Sequence, residues 1–426
     1  MSDSSPLSPA QAGEARPEAG EERGDGIRRG LEERGCEALL LLAQSSQDPD
    51  LASFVGDVHL GHSQLVIPRE PREGPAFLAY QTPMERDEAA ATGLRLITPE
   101  QLDMARWQTL PAEPGDVMAW VAERSLEAAG VAPGRVALAG HGQAGLIQAA
   151  TAALARKGWT WVPGNPIVLA VRKKKTAAEV AAIRTSAEGV MDAMRRVAAR
   201  LAGAAVRDGE LWSEGERLTV ARLRSEVAQA LAGRGLEQPK GNIVAPAEEG
   251  GVPHSAGTQD RVLRAGEPLV VDIYPRGAMF ADCTRTFCVG EPSPALRRAH
   301  DLVLEALRRS HQRAKPGVRG WDLQEEVCAF FGSEGFPTPI SDPTTIRGYV
   351  HNLGHGVGFD LHEQPVFRKV SGAEGVLREG DVFTLEPGLY EPAEGYGVRL
   401  EDLVHLGPAG LENLTPLPYG LDPRSW

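Results

Sequence analysis

Cysteine is scarce in this chain, with 4 residues among 426, at positions 36, 283, 288 and 328. They show no CxxC spacing and no dense framework, so a disulfide scaffold is excluded and a reduced, cytoplasmic setting is expected. Cys283 and Cys288 are expected in an apolar core. Aromatic residues are also few, at 5%, which leaves little material for stacking nucleic-acid bases. Positive charge is in deficit. The formal net charge of −13 would repel a phosphate backbone, so nucleic acid is not an expected partner. The one conspicuous basic run, Arg172-Lys173-Lys174-Lys175, is expected to be a solvated stretch leading into a helix. Long apolar runs are missing too. The longest near the N-terminus, Ala38 to Ala43, is far too short to span a bilayer. The first residues carry neither a basic n-region nor an apolar h-region, and no membrane partner is expected.

What is present is ordinary globular material, 42% hydrophobic and 24% charged, in a chain too long for one core. Residues 1–25, rich in Ser, Pro, Ala, Gly and Glu, are expected to be a disordered tail. Residues 26–171 alternate apolar strand-like runs (Ala38 to Leu42, Leu65 to Ile67, Ala76 to Tyr80, Val136 to Ala139) with helical stretches, which predicts an α/β domain. Its histidines, His59, His62 and His141, are scattered and expected to be structural or on the surface. Residues 172–426 form the second domain. Thr176-Ala177-Ala178-Glu179 has the form of a capping box. The helix it opens places Val180, Ile183, Ala187, Val190, Met191, Met194, Val197 and Leu201 on one face. A second helix is expected over about Glu214 to Ala232. Two strands are expected around Pro275-Arg276-Gly277, and short strands with Gly-rich turns after about Val350. This is an α+β pattern.

The chemistry concentrates in the second domain. Asp272 ends an apolar run and Asp282 lies ten residues on. If the turn centres on Gly277, the two oppose each other on paired strands with Cβ atoms roughly 5 Å apart. Like charges that close are destabilising unless a cation lies between them. The segment from His351 to His362 (HNLGHGVGFDLH) packs three of the chain's 10 histidines into twelve positions, among glycines that allow close backbone approach. Glu386 stands at a strand end before Pro387-Gly388. In Val398-Arg399-Leu400-Glu401-Asp402-Leu403, Arg399 and Glu401 share one strand face and Asp402 points to the other.

These four segments resemble the pita-bread metallopeptidase family, which includes methionine aminopeptidase, aminopeptidase P and prolidase. The resemblance covers about residues 172–426, with five ligand positions in the family's order. The upstream domain looks like the creatinase-type N-terminal α/β domain of the longer members. The resemblance implies that Asp272 chelates one metal, that His355 and Glu386 bind another, and that Asp282 and Glu401 bridge the pair. A set of hard and borderline ligands without thiolate suits Mn, Co or Zn. The resemblance also implies that His254 and His362 hydrogen-bond substrate or intermediate, that His351 lines the pocket for the leaving residue, and that Arg399 orders the site. Glu386 could shuttle a proton to the leaving amine.

Two departures stand out. The segment Asp272 to Gly277 lacks the small residue that often follows the first aspartate. The stretch between Tyr390 and Arg399 is short, without the insertion and arginine often found in prolidases. The expectation is therefore a dinuclear-metal exopeptidase acting on a peptide substrate, Xaa-Pro aminopeptidase-like, and a homodimer or larger. A carboxypeptidase or Xaa-Pro dipeptidase is the alternative, with Arg276 or Arg347 as candidate receptors for a substrate carboxylate. A non-catalytic binding protein on the same fold is the third reading.

Overall fold

The computed structural model describes residues 16–56, 58–70, 76–107, 113–370, 372 and 375–426. The chain divides into two compact units, Met1–Arg172 and Lys173–Trp426.

The first unit is built on a six-stranded mixed sheet in the order β4-β3-β2-β1-β5-β6. Its strands are β1 (Ala38–Ala43), β2 (Ser63–Pro68), β3 (Phe77–Tyr80), β4 (Arg95–Ile97), β5 (Arg135–Gly140) and β6 (Thr160–Pro163). The central β1 is apolar throughout because both faces are covered. Leu39 and Leu41 pack with Ile27, Leu31 and Leu51, whereas Leu40 and Leu42 pack with Ala119, Ala122 and Leu126. Period-two alternation thus feeds two cores from one strand. The expected tail does not extend to residue 25. A helix spans Arg16–Glu33, so residues 16–25 are helical, and residues 1–15 lie outside the described residues. The segment is rich in Ala, Glu and Arg, all good helix formers, and Ile27 and Leu31 on the same helix are fully buried.

In the second unit the expected capping box forms. Thr176 Oγ1 accepts from the Glu179 amide, and the Glu179 carboxylate accepts from the Thr176 amide. The helix Ala177–Ala202 buries the forecast face, apart from Met191, which is only partly covered. The second expected helix is shorter, Val220–Ala232. The residues before it form a small antiparallel meander, β7 (Ala205–Arg207), β8 (Glu210–Ser213) and β9 (Glu216–Arg217), whose turns use Gly209 and Gly215 at positive φ. These two helices cover a three-stranded sheet of β10 (Asn242–Pro246), β11 (Pro268–Ile273) and β12 (Cys283–Cys288). Helices Pro294–Arg313 and Gly320–Ser333 cover a second core. Strands β13 (His355–Gly356), β14 (Glu363–Val366), β15 (Val382–Leu385), β18 (Asp402–Gly407) and β19 (Gly410–Asn413) form one five-stranded sheet, and β16 (Gly388–Glu391) pairs with β17 (Tyr396–Arg399). Among the described residues, no helix is long and apolar enough to cross a membrane.

The basic run is not solvated. Arg172, Lys173 and Lys175 are buried, and only Lys174 is exposed. Within the first unit, Arg172 Nη1 lies 2.5 Å from Asp50 Oδ1. Within the second, Lys173 Nζ is 3.1 Å from Asp381 Oδ2 and Lys175 Nζ is 2.7 Å from Glu363 Oε1. Each buried cation has its own acid, the condition under which burial of charge is tolerated. Those acids are 122 to 208 residues away in sequence, beyond the reach of local pattern reading.

Candidate metal centre

Five backbone sites deliver donors to one place. Asp272 is the penultimate residue of β11, and Asp282 stands just before β12. His355 opens β13, Glu386 follows β15, and Glu401 lies in the break between β17 and β18. His355 Nε2 is 3.7 Å from Asp282 Oδ2 and 3.6 Å from Glu386 Oε1. The donor atoms of Asp282, His355 and Glu401 all lie within 4.8 Å of one another. Asp272 joins through Arg399, whose Nη2 is 2.6 Å from Asp272 Oδ2.

The hairpin register differs from the one expected. Asp272 faces Thr284, not Asp282. The turn is wider than a Gly277-centred one, because Arg276 bridges to Phe280 and the Ala281 amide donates to the Pro275 carbonyl. The slip is an even number of residues, so both aspartates keep the same face. Thr284 uses its position. Its hydroxyl donates to Glu401 Oε2 at 2.8 Å and accepts from Arg399 Nε at 3.0 Å.

Two glycines make room for the imidazole. A Cβ on Gly354 would sit 2.0 Å from the Thr384 carbonyl oxygen, and one on Gly356 2.0 Å from that of Gln364. Only a chain without Cβ at both positions can press β13 between its neighbours. His355 Nδ1 is 3.2 Å from the Gly356 carbonyl oxygen. That contact assigns the ring proton to Nδ1 and turns the Nε2 lone pair towards the carboxylates.

The electrostatics are those of crowded acids. Burial first, then Glu401, Asp272 and Glu386, drive the Asp282 carboxyl well above its ordinary range. Burial followed by Glu386 and Asp272 does the same to Glu401, against the pull of Arg399 and Thr284. Burial pushes Glu386 up to about 8, with Arg399 opposing and Asp272 adding to the rise. His355 is driven down to about 3 by burial and by His362, so it is neutral at any ordinary pH. Asp272 Oδ1 and Asp282 Oδ1 are buried and have no hydrogen-bond partner among the described residues. Four carboxylates facing one guanidinium, with orphaned oxygens inside, leave a shortage of positive charge that divalent cations fit.

The other expected residues divide into two groups. His362 stacks edge-on against His355 at 4.3 Å between ring centroids, and no described residue hydrogen-bonds its ring nitrogens. His254 is exposed and close enough to His351 and His362 to bear on their protonation. The carbonyl of the preceding Pro253 accepts from Arg399 Nη1. His351 is engaged at both nitrogens, with Asn352 O at 2.7 Å and the Tyr390 hydroxyl at 2.8 Å. Arg347 and Arg276 have other partners. Arg347 Nη1 is 3.1 Å from Glu391 Oε1, next along β16 from Tyr390 and so on the opposite strand face. Arg276 lies over the Phe280 ring at 5.7 Å.

Sequence reading missed Tyr390, whose hydroxyl links His351 to Arg399 and through it to Asp272. The available signal was Gly388. Its Cβ would lie 2.5 Å from the Tyr390 hydroxyl, so the glycine leaves room for that ring. Asp402 points away from the centre, as expected, and pairs with Arg285.

Comparison with known proteins places this geometry. The model of metallopeptidase family M24 matches residues 181–408, more than half of the chain. An Xaa-Pro dipeptidase of Pyrococcus furiosus is 34% identical over 212 residues, 47% of this chain and 56% of the relative. A "Probable dipeptidase PepE" of Mycobacterium tuberculosis is 30% identical over 237 residues, 55% of this chain and 59% of the relative. The chain thus spans a little over half the length of these curated relatives. Among solved structures, the prolidase of Pyrococcus horikoshii OT3 superimposes with a TM-score of 0.70 at 21% identity, covering 94% of this chain and 99% of that one. Dipeptidase PepE of Mycobacterium ulcerans gives 0.71 at 24%, covering 95% and 97%. These likenesses give the fold, an α/β domain followed by an α+β pita-bread unit. With a family match over more than half its length, and that fold around a cluster of buried acids and imidazole, this chain belongs to metallopeptidase family M24.

Proposed function

We propose that the chain is a dinuclear-metal exopeptidase in which Asp272, Asp282, His355, Glu386 and Glu401 hold two divalent cations, with Mn, Zn or Co as the native ions. The observation that carries this is the cluster itself: acids raised by burial and mutual repulsion, with two buried oxygens unpartnered. When bound, such ions lower the pKa of a water and polarise a peptide carbonyl. The chain's own groups divide the remaining work. Glu386, beside His355, is the acid taken to pass a proton to the leaving amine. His362 is neutral because burial and Lys240 lower its pKa, and its unengaged ring is available to donate to a scissile carbonyl or its oxyanion. Arg399 holds Asp272, Thr284 and Tyr390 in one orientation.

Dipeptides are the substrates to try first, because relatives carry the names Xaa-Pro dipeptidase and dipeptidase. One observation favours a second reading, an Xaa-Pro aminopeptidase. Both arginines suggested as carboxylate receptors have partners outside the metal cluster, so neither offers it a ready fork. End-blocked peptides separate the two. Cleavage of Xaa-Pro dipeptides alone supports the dipeptidase, and cleavage of N-acetylated peptides with a free carboxylate supports a carboxypeptidase. Cleavage of amidated Xaa-Pro peptides, and only of those with a free amine, supports the aminopeptidase. No cleavage of any peptide by metal-loaded protein overturns both. The same reading takes the protein to be a homodimer or larger, checked by light scattering. It takes the protein to be cytoplasmic, for which four free, buried cysteines are the support.

A further inference from the structure

Glu401 sits where the chain leaves one sheet for another. The β16–β17 pairing ends at Arg399 and the β15–β18 pairing begins at Asp402. Leu400 and Glu401 therefore belong to neither ladder, and a buried backbone carbonyl outside a ladder needs another donor. Arg285 supplies it. Its Nη1 donates to the Glu401 carbonyl at 2.5 Å and to that of Thr284 at 2.9 Å. The same guanidinium reaches the C-terminal segment, from Nε to the Pro418 carbonyl at 2.9 Å and from Nη2 to those of Thr415 and Leu417 at 3.3 and 3.1 Å. Asp402 neutralises it at 2.7 Å, and both side chains are wholly buried. The second Asp402 oxygen is filled as well, by the Tyr419 hydroxyl at 2.7 Å and by His311 Nε2 at 2.9 Å.

We propose that Asp402, Arg285, Tyr419 and His311 form a positioning network for Glu401, and that the C-terminal segment 415–419 is part of the seat of the metal centre. This rests on the reading of Glu401 as a metal ligand. Three constraints then fix that residue: its amide donates to the Thr284 carbonyl, its carboxylate accepts from the Thr284 hydroxyl, and its carbonyl is held by Arg285. A fully buried ion pair is a weak device for stability alone. One that fastens the backbone of a ligand governs where the ligand's oxygens point, and groups that orient ligands in this way tune metal affinity. Asp402 is the strand neighbour of Glu401 on the opposite face, so fixing its side chain fixes the peptide between them.

The test titrates chelator-stripped protein with Mn²⁺ by calorimetry and records the visible spectrum of the Co²⁺-loaded form. Both are run below the melting temperature of each stripped variant. Asp402→Asn keeps the shape and removes the charge. The expected result is Mn²⁺ affinity about tenfold or more weaker, with an altered Co²⁺ spectrum. Wild-type affinity and spectrum in folded Asp402→Asn overturn the proposal, and a lower melting temperature alone then marks a clamp on the fold. If that variant does not fold, Tyr419→Phe and His311→Leu each remove one donor to Asp402 and leave the ion pair. A changed spectrum in either supports the network, and unchanged spectra in both overturn it. Glu401→Gln separates this from the parent reading. If Glu401→Gln keeps wild-type affinity, Glu401 is not a ligand, whatever Asp402 does. If Glu401→Gln loses metal while Asp402→Asn does not, the positioning role alone falls.

Discussion

Two clusters in this molecule each bring two carboxylates to an imidazole and have opposite character. In the first unit, Asp48, Asp50 and His141 bring donor atoms within 4.8 Å of one another, as Asp282, His355 and Glu401 do in the second. The first cluster is already satisfied. Asp48 Oδ1 caps the helix Pro49–Val55 through the amides of Asp50 and Leu51, and Oδ2 takes the amide and ring of His141. Asp50 takes Asn165 and the buried guanidinium of Arg172. The second cluster has four acids, one guanidinium and buried oxygens left over. Proximity of acids and imidazole is therefore a poor guide to metal. The deciding quantity is charge that the protein leaves uncompensated.

The largest expected effect falls on the second cluster. Glu401→Ala should lower peptidase activity at least about a thousandfold, on the order of 4 kcal/mol of transition-state stabilisation, and reduce bound metal. Asp48→Ala should leave metal content unchanged, and equal metal loss in both variants would erase the distinction drawn here. Next in size, Arg172→Met leaves Asp50 buried without its cation. It should cost about 3–5 kcal/mol in unfolding free energy with no change in metal stoichiometry. A loss of metal in this variant would show that the two clusters are not independent.

The smallest effect is a dependence on pH. Glu386 ordinarily titrates at 4.5 and is pushed up to about 8 in the fold, and Asp282 and Glu401 move the same way. In that window the folded protein holds protons that the unfolded chain has released. The corresponding stability is complete below about 4.5 and is lost as pH rises through about 8. Cations compete with those protons, so the gain in melting temperature from Mn²⁺ should widen from about pH 5 to about pH 8. At a free concentration one hundred times Kd the gain is about 2.7 kcal/mol. Asp272→Asn should narrow it. A gap of constant width, or one that closes as pH rises, would contradict the crowded-acid account.

The helix Ala177–Ala202 was legible because its capping box and its apolar face are both local signals. The candidate ligands were picked out by the resemblance of four segments to a metallopeptidase family, and the fold brings Asp282, His355 and Glu401 together with Glu386 beside His355. Register was harder, since the slip opposite Asp272 depends on Phe280 closing back on Arg276. The buried cations were the clearest failure. A run of Arg and Lys looks solvated until its acids are known, and Asp50, Asp381 and Glu363 carry no local mark of that duty. Tyr390 was missed because its role is relayed through Arg399 and not through any motif of its own.

The tight passage of β13 has a consequence for anyone recoding this protein. Substitution at Gly354 or Gly356 meets backbone oxygen at 2.0 Å, and no neighbouring rotamer relieves a clash with main chain. A mutational library should therefore find both codons frozen even where selection asks only for a folded chain. The tip between β16 and β17 is limited differently: a Cβ at Gly395 would meet nothing within 4 Å, but its φ of 76° disfavours any residue with a side chain. Packing freezes the strand that carries the imidazole, whereas backbone conformation alone limits that tip.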